Sequence, residues 1–298
     1  MRVEPLSEAL GAELSDFDIA RPFSTDEQAE LRELFCEYHL LLVRGQDVTA
    51  DDQSRFVGSF GPLHTRADGM KETYVTIITE QGAPAPRPGT ARLIWHQDGT
   101  YGLRPGIATS LWAQEVAPDS VPTLYANGVR ALERMPADLR ARIEPLHVVH
   151  LRDLHEERTD YRWREEDVPS DAAPGRFLRH EHPLVYRLPH TDQRTMMVNE
   201  LLTSHIVELS LDEGEALIQL LFSAIYADDN VYAHHWRTND VIIWDNLALQ
   251  HCRPAEMGLP VRRLRRQSID GWYSDNGLLD WQETVVAYAG ASEDAGGN

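Results

Sequence analysis

Three histidines in this 298-residue chain are followed two positions later by an acid: His96-Gln97-Asp98, His155-Glu156-Glu157 and His190-Thr191-Asp192. On an extended segment residues i and i+2 point to one side, so each pair could offer an imidazole and a carboxylate to one metal ion. Two histidines and one carboxylate on one side of a metal leave three positions open. That facial arrangement serves non-haem Fe(II) oxygenases for binding substrate and dioxygen. With 13 histidines and 48 acids in the chain, about two such pairs arise by chance, so spacing does not choose among the three.

Context separates them. His155 lies in a highly charged stretch, about residues 152–175, where a solvated face is expected. His190 falls in Pro189-His-Thr-Asp-Gln193, a predicted hairpin turn in which Asp192 is explained by turn chemistry. His96 follows Leu93-Ile94-Trp95 and leaves a buried strand. His251 follows Leu247-Ala248-Leu249 and reads either as a core histidine or as a third ligand. Beyond it comes Arg262-Arg-Leu-Arg-Arg-Gln-Ser268, where strand alternation puts Arg262, Leu264 and Arg266 on one face and Arg263, Arg265 and Gln267 on the other. Arg263 and Arg265 are expected on an exposed basic face.

The elements that must position these residues are short. Ser24 with Glu27 forms a capping box opening a helix whose stripe is Leu31, Leu34 and Phe35. His39 to Val43 reads as a buried strand, and a second helix starts at Thr49, carries Phe56, Val57 and Phe60, and stops at Gly61. Residues 65–91 carry Gly69, Gly82, Pro84, Pro86, Pro88 and Gly89 and are predicted to form a lid loop. Residues 184–188 and 195–198 make a hairpin. Ser210 and Glu213 cap a helix with Leu217, Leu220, Leu221 and Ile225 on one side. Strands are predicted at 231–236 and 241–244 around Thr238-Asn-Asp240, with a closing strand over 264–272. The pattern is α+β, mainly β: an antiparallel sandwich or barrel with helices outside. A single domain over 1–286 is expected, with a flexible Gly-, Ala- and acid-rich tail over 287–298.

The net charge of −20 argues against nucleic acid or anionic membrane as the main partner, because a polyanion needs a cationic surface. Two cysteines exclude a disulfide framework or a Cys-rich zinc site and suit a reducing compartment. With neither an N-terminal apolar region nor an 18-residue apolar run, a soluble cytoplasmic protein is expected.

The segment Trp95-His96-Gln97-Asp98-Gly99-Thr100-Tyr101 resembles the Trp-His-x-Asp-x-Ser/Thr-Phe/Tyr segment of the taurine and 2,4-dichlorophenoxyacetate dioxygenase (TauD/TfdA) family. Further matches follow in family order: Phe60-Gly61-Pro62-Leu63, His182-Pro183-Leu184-Val185, Val198-Asn199-Glu200, Trp236-Arg237, Asp240, Trp244-Asp245-Asn246 and His251. Together they span roughly residues 5 to 275. The resemblance implies a double-stranded β-helix (jelly-roll, cupin-like) core with flanking helices. It implies Fe(II) held by His96, Asp98 and His251, with 2-oxoglutarate and O2 as cosubstrates and release of succinate and CO2. It places arginines eleven and fifteen residues beyond the distal histidine. Arg262 would bind the C5 carboxylate of 2-oxoglutarate, and Arg266 would lie near the C1 carboxylate or the substrate. Thr123 is implied as the hydroxyl partner of the C5 carboxylate, although Ser120-Val121-Pro122 stands where the family has Gly-Gly-Asp.

Asp98 is the carboxylate that related halogenases lack, so hydroxylation or another plain oxidation is implied. Two residues that hold the substrate in taurine enzymes correspond here to Arg66 and Arg92; the taurine pattern is not kept, and an anionic small molecule is expected instead. A homo-oligomer, dimer or tetramer, stays open. Two other readings use the same three ligands: a divalent-metal hydrolase, which has no use for Arg262, and a non-catalytic jelly-roll binding module.

Overall fold

The computed structural model describes residues 1–65, 92–155, 159–255 and 261–273, together with the backbone at 73–77, 274 and 277–279. In chain order the elements begin with β1 (Arg2–Pro5), β2 (Ala12–Ser15), α1 (Thr25–Tyr38), β3 (Leu40–Val43), α2 (Ala50–Gly58) and β4 (Thr73–Ile77). Next come β5 (Leu93–His96), β6 (Ala108–Val116), β7 (Thr123–Asn127), α3 (Gly128–Glu133), α4 (Ala137–Ile143) and β8 (His147–Asp153). The chain continues with β9 (Phe177–Pro183), β10 (Val185–Arg187), β11 (Arg194–Met196), β12 (Thr203–Ile206), α5 (Leu211–Ile225) and β13 (Val231–His234). It closes with β14 (Val241–Asp245), β15 (Leu249–Arg253), β16 (Arg262–Ile269), β17 (Trp272–Ser274) and β18 (Gly277–Leu279).

Two sheets carry the core. One has seven strands in the order β1-β2-β3-β14-β6-β16-β4, the other four in the order β13-β7-β15-β5. Every pairing is antiparallel except β2 with β3. Inner-face residues of both sheets, among them Leu42, Ile242, Tyr125 and Leu249, share one apolar cluster. This is the two-sheet jelly roll expected above. Strands β3 and β14 are buried along their whole length, which explains why Leu40–Val43 and Val241–Trp244 read as unbroken apolar runs rather than alternating ones. Helix α1 covers β3 and β14, and α2 covers β16.

The capping residues act as the sequence indicates. Ser24 and Glu27, Thr49 and Asp52, and Ser210 and Glu213 form reciprocal boxes at the starts of α1, α2 and α5. Helix α1 buries Leu31 and Phe35; Phe35 packs on Phe60 and Trp272 with centroids 5.2 and 5.3 Å apart. The chain at Gly61 lies so close to the turn between β16 and β17 that a Cβ there would lie 2.0 Å from the Gly271 carbonyl oxygen, a close approach only glycine allows.

Several expectations change. His39 is not part of the strand; it takes the left-handed C-cap position of α1, with φ 59°. Helix α2 ends at Gly58, short of Gly61. Leu220 is exposed on α5. The strands flanking Thr238-Asn-Asp240 do not pair with each other: β13 joins β7, and β14 joins β3 and β6. Within the predicted lid, residues 73–77 form strand β4 against β16, which puts β16 inside the sheet rather than at its edge. Residues 66–72 and 78–91 lie outside the described residues, as does the 287–298 tail. Arg265 is buried, not exposed: its Nη1 donates to Gln53 Oε1 at 2.7 Å beneath α2. Arg263 is exposed as expected.

A buried histidine layer lies behind the segment after β5. His150 on β8 bonds Thr100 Oγ1 (2.9 Å) and Met197 O (3.0 Å), and His182 on β9 bonds Thr100 O (2.8 Å). Burial, with a further push from His182, lowers His150 to about 3; burial and His180 lower His182 to about 4. Both are neutral in the fold, whereas the unfolded chain takes up protons below about pH 6.5. Their stabilisation is therefore full above that pH and lost as pH falls toward 3–4. At pH 5 the expected loss is roughly 2 kcal/mol per histidine. Urea melts at pH 7 and pH 5 should show it, and His150→Gln should remove about half of the difference.

Candidate active site

His96 ends β5 and stands opposite His251 of β15 in the antiparallel register. Directly opposed residues share a face, and the two imidazole centroids are 4.1 Å apart. Nδ1 of His96 lies 2.9 Å from the Ile94 carbonyl oxygen. A carbonyl only accepts, so Nδ1 carries the proton and Nε2 keeps its lone pair, 3.7 Å from Asp98 Oδ1. Nδ1 of His251 is buried with no hydrogen-bond partner among the described residues. One ligand atom from each of His96, Asp98 and His251 falls within 4.8 Å of the others. Among the described residues no other histidine–acid pair gains such a third donor. His190 donates instead to the buried Asp245 at 2.9 Å, and Asp192 pairs with Arg187 at the surface. His155 sits beside Asp153, while Glu157 is outside the described residues.

The Asp98 carboxylate is held from several sides. Oδ2 accepts from Arg266 Nη2 at 2.7 Å, which leaves Oδ1 on the His96 side. Asn246 Oδ1 accepts from the Asp98 N–H at 2.8 Å, and its Nδ2 donates to the carbonyls of Asp98 (3.0 Å) and Gly106 (2.8 Å). Gly99, with φ 79°, then turns the chain away. Burial alone would raise the Asp98 carboxyl, but Arg266, then His251, His96 and Arg152, outweigh it and hold it well below the usual carboxylate range. Burial lowers both histidines; His251, with the neighbouring His96 adding to the effect, falls to about 3. At neutral pH the cluster thus offers two neutral imidazoles and one carboxylate, the forms a divalent metal needs. The donor set fits iron.

Asn246→Ala is expected to weaken metal binding about 10- to 100-fold, as loss of a ligand's supporting contacts does elsewhere. Titration of the apoprotein with Mn(II) would check this.

The second cluster lies along β16 and β7. Arg262 is buried, and its Nη2 donates to Thr123 Oγ1 at 2.9 Å. Trp236 Nε1 donates to the same oxygen, also at 2.9 Å, and its ring lies 6.0 Å from the Arg262 guanidinium carbon. Thr123 accepts two bonds, so its own proton is left to seek an acceptor. A guanidinium and a hydroxyl donor together match a carboxylate. The residues Ser120-Val121-Pro122 do not displace Thr123 from Arg262. Arg262 and Arg266 share the strand face predicted, and the structure brings Arg266 onto Asp98.

The residues expected at the substrate fare differently. Arg66 lies outside the described residues. Arg92 is exposed and 3.8 Å from Glu200, its charge turned to an acid rather than to the metal cluster. Sequence reasoning assigned no role to Asn246 or Trp236, although both belong to the matched motifs. It also missed Arg152, whose guanidinium carbon lies 5.1 Å from the Tyr101 ring centre, beside the Asp98 segment.

A jelly roll with a His/Asp/His cluster inside it and an arginine–threonine pair alongside defines a metal-dependent enzyme scaffold. Comparison makes this specific. The family model described as "Taurine catabolism dioxygenase TauD, TfdA family" matches residues 2–267, and the chain belongs to that family. It is 26% identical over 275 residues to pentalenolactone F synthase of Streptomyces avermitilis, covering 87% of this chain and 90% of that protein. It is 25% identical over 283 residues to the alpha-ketoglutarate-dependent 2,4-dichlorophenoxyacetate dioxygenase of Cupriavidus pinatubonensis, covering 88% and 95%. The crystal structure of AAD-2 in complex with Mn(II) and N-oxalylglycine superposes with a TM-score of 0.77 at 22% identity, covering 90% of this chain and 97% of that one. The chain is thus an oxidoreductase of the Fe(II)- and 2-oxoglutarate-dependent dioxygenase class. The hydrolase and binding-module readings find no support in these relatives. No helix among the described residues is long and apolar enough to cross a membrane.

Proposed function

We propose that His96, Asp98 and His251 hold Fe(II), that Arg262 and Thr123 anchor the C5 carboxylate of 2-oxoglutarate, and that the enzyme oxidises a small organic anion. The observation that carries this reading is the convergence of three metal-ligand atoms within 4.8 Å on the strand pair β5/β15, next to the Arg262–Thr123 contact on β16/β7. Iron with 2-oxoglutarate and dioxygen supplies the oxidation, with 2-oxoglutarate leaving as succinate and CO2. The protein orients and shields: the His251 imidazole packs against the buried rings of Tyr125 and Trp244, and Arg262 fixes one end of the cosubstrate. Arg266 occupies one oxygen of Asp98 and so directs the other to the metal.

An anionic substrate is supported by Arg266 and Arg152, whose charges bear on the Asp98 side of the site, and by the carboxylate named in the 2,4-dichlorophenoxyacetate enzyme. Arg66 remains a proposed substrate residue on the resemblance alone; the Glu200 contact makes Arg92 the weaker of the two. The catalytic domain is assigned to residues 1–286. A cytoplasmic location suits the two free thiols, Cys36 and Cys252. The test is succinate formation: with Fe(II), 2-oxoglutarate and a panel of aryloxy, sulfonate and sulfate-ester acids, succinate should appear and should cease with a chelator. Turnover independent of 2-oxoglutarate would overturn the reading.

A further inference from the structure

Tyr125 is the third member of the face that holds the Arg262–Thr123 pair. It lies on β7 two residues after Thr123, so both side chains project from the same side of the strand. In the register it stands opposite His251, and its ring centre is 6.3 Å from that imidazole and 5.4 Å from Trp244. It is fully buried, yet its phenolic oxygen has no hydrogen-bond partner among the described residues. Burying a hydroxyl without a partner is destabilising, and phenylalanine would fill the same ring volume without that cost. A phenol is a hydrogen-bond donor at neutral pH, and this one shares its strand face with Thr123, whose hydroxyl meets Arg262, and stands across from His251.

We propose that Tyr125 is a cosubstrate-binding residue whose phenol donates a hydrogen bond to 2-oxoglutarate, completing with Arg262 and Thr123 a three-donor cradle. This inference rests on the cosubstrate reading given above. It assigns the buried hydroxyl a partner that arrives only with the ligand, and it makes the free protein less stable than it could be in exchange for affinity.

The isosteric variant Tyr125→Phe tests it on the full-length, Mn(II)-loaded protein, with 2-oxoglutarate as titrant in calorimetry and Arg262→Ala in parallel. Tyr125→Phe is expected to raise the Kd for 2-oxoglutarate about tenfold, to leave Mn(II) affinity within about twofold, and to leave the melting temperature of the metal-free protein unchanged or higher. A purely structural phenol would behave oppositely: melting temperature falls and Kd does not move. A Kd within about twofold of wild type, with Arg262→Ala strongly weakened, overturns the Tyr125 assignment alone. If neither variant alters the Kd, the cosubstrate reading fails and takes this inference with it.

Discussion

Alanine in place of His251 is expected to weaken metal binding by more than a hundredfold while leaving the fold in place. Losing the supporting contacts of a ligand typically costs 10- to 100-fold, and losing the ligand itself should exceed that. The fold should survive because His251 contributes little to it that depends on hydrogen bonding: its buried Nδ1 has no hydrogen-bond partner among the described residues. The strand around it is held by backbone pairing to β5 and β7 and by the buried Leu249 and Cys252. Mn(II) titration of metal-free wild type and variant, together with melting curves, separates the two effects. Unchanged metal affinity in the variant would remove His251 from the site.

Replacing Arg262 by alanine should affect the cosubstrate rather than the metal. A buried guanidinium pairing with a carboxylate is among the strongest single contacts a site can make, and truncating one partner of such a pair costs about 2–5 kcal/mol. The Kd for 2-oxoglutarate should therefore rise about thirtyfold or more, with Mn(II) affinity unchanged. Arg262→Lys should recover only part of the loss, because an ammonium cannot reproduce the planar fork that also meets Thr123 Oγ1 at 2.9 Å. Thr123→Val should cost less, about tenfold, since it removes one neutral donor. Isothermal titration of the three variants against wild type gives the order directly.

The two clusters were not equally legible in the sequence. The local pair His96-Gln-Asp98 could not be told from His155 or His190 by spacing, since i, i+2 geometry is common to all three. What distinguishes it is the strand register that sets His251 opposite His96, a long-range pairing that no local pattern encodes. The ordered family motifs supplied that information indirectly. The caps of α1 and α5 were readable because Ser24/Glu27 and Ser210/Glu213 act within four residues, and Thr49 was readable as the start of α2, whereas its partner Asp52 and the short helices α3 and α4 were not foreseen. Arg265 was misjudged for the opposite reason. Alternation gave its face correctly, but only the packing of α2 over β16 reveals that Gln53 and the Ala50 carbonyl wait there to accept its protons. Strand β4 escaped notice because its neighbours in sequence are rich in glycine and proline, while its place in the sheet is fixed by β16. Asn246 and Trp236 stood in the motifs without a role until their partners, the Asp98 backbone and the Thr123 hydroxyl, were visible in space.

The account turns on iron and 2-oxoglutarate meeting at His96, Asp98 and His251. Fe(II) and 2-oxoglutarate added anaerobically to the metal-free protein should produce the weak visible charge-transfer band of the metal–cosubstrate chelate, absent in His96→Ala and requiring far more 2-oxoglutarate in Arg262→Ala. Wild-type protein that demonstrably binds iron yet shows no band at saturating 2-oxoglutarate would contradict it.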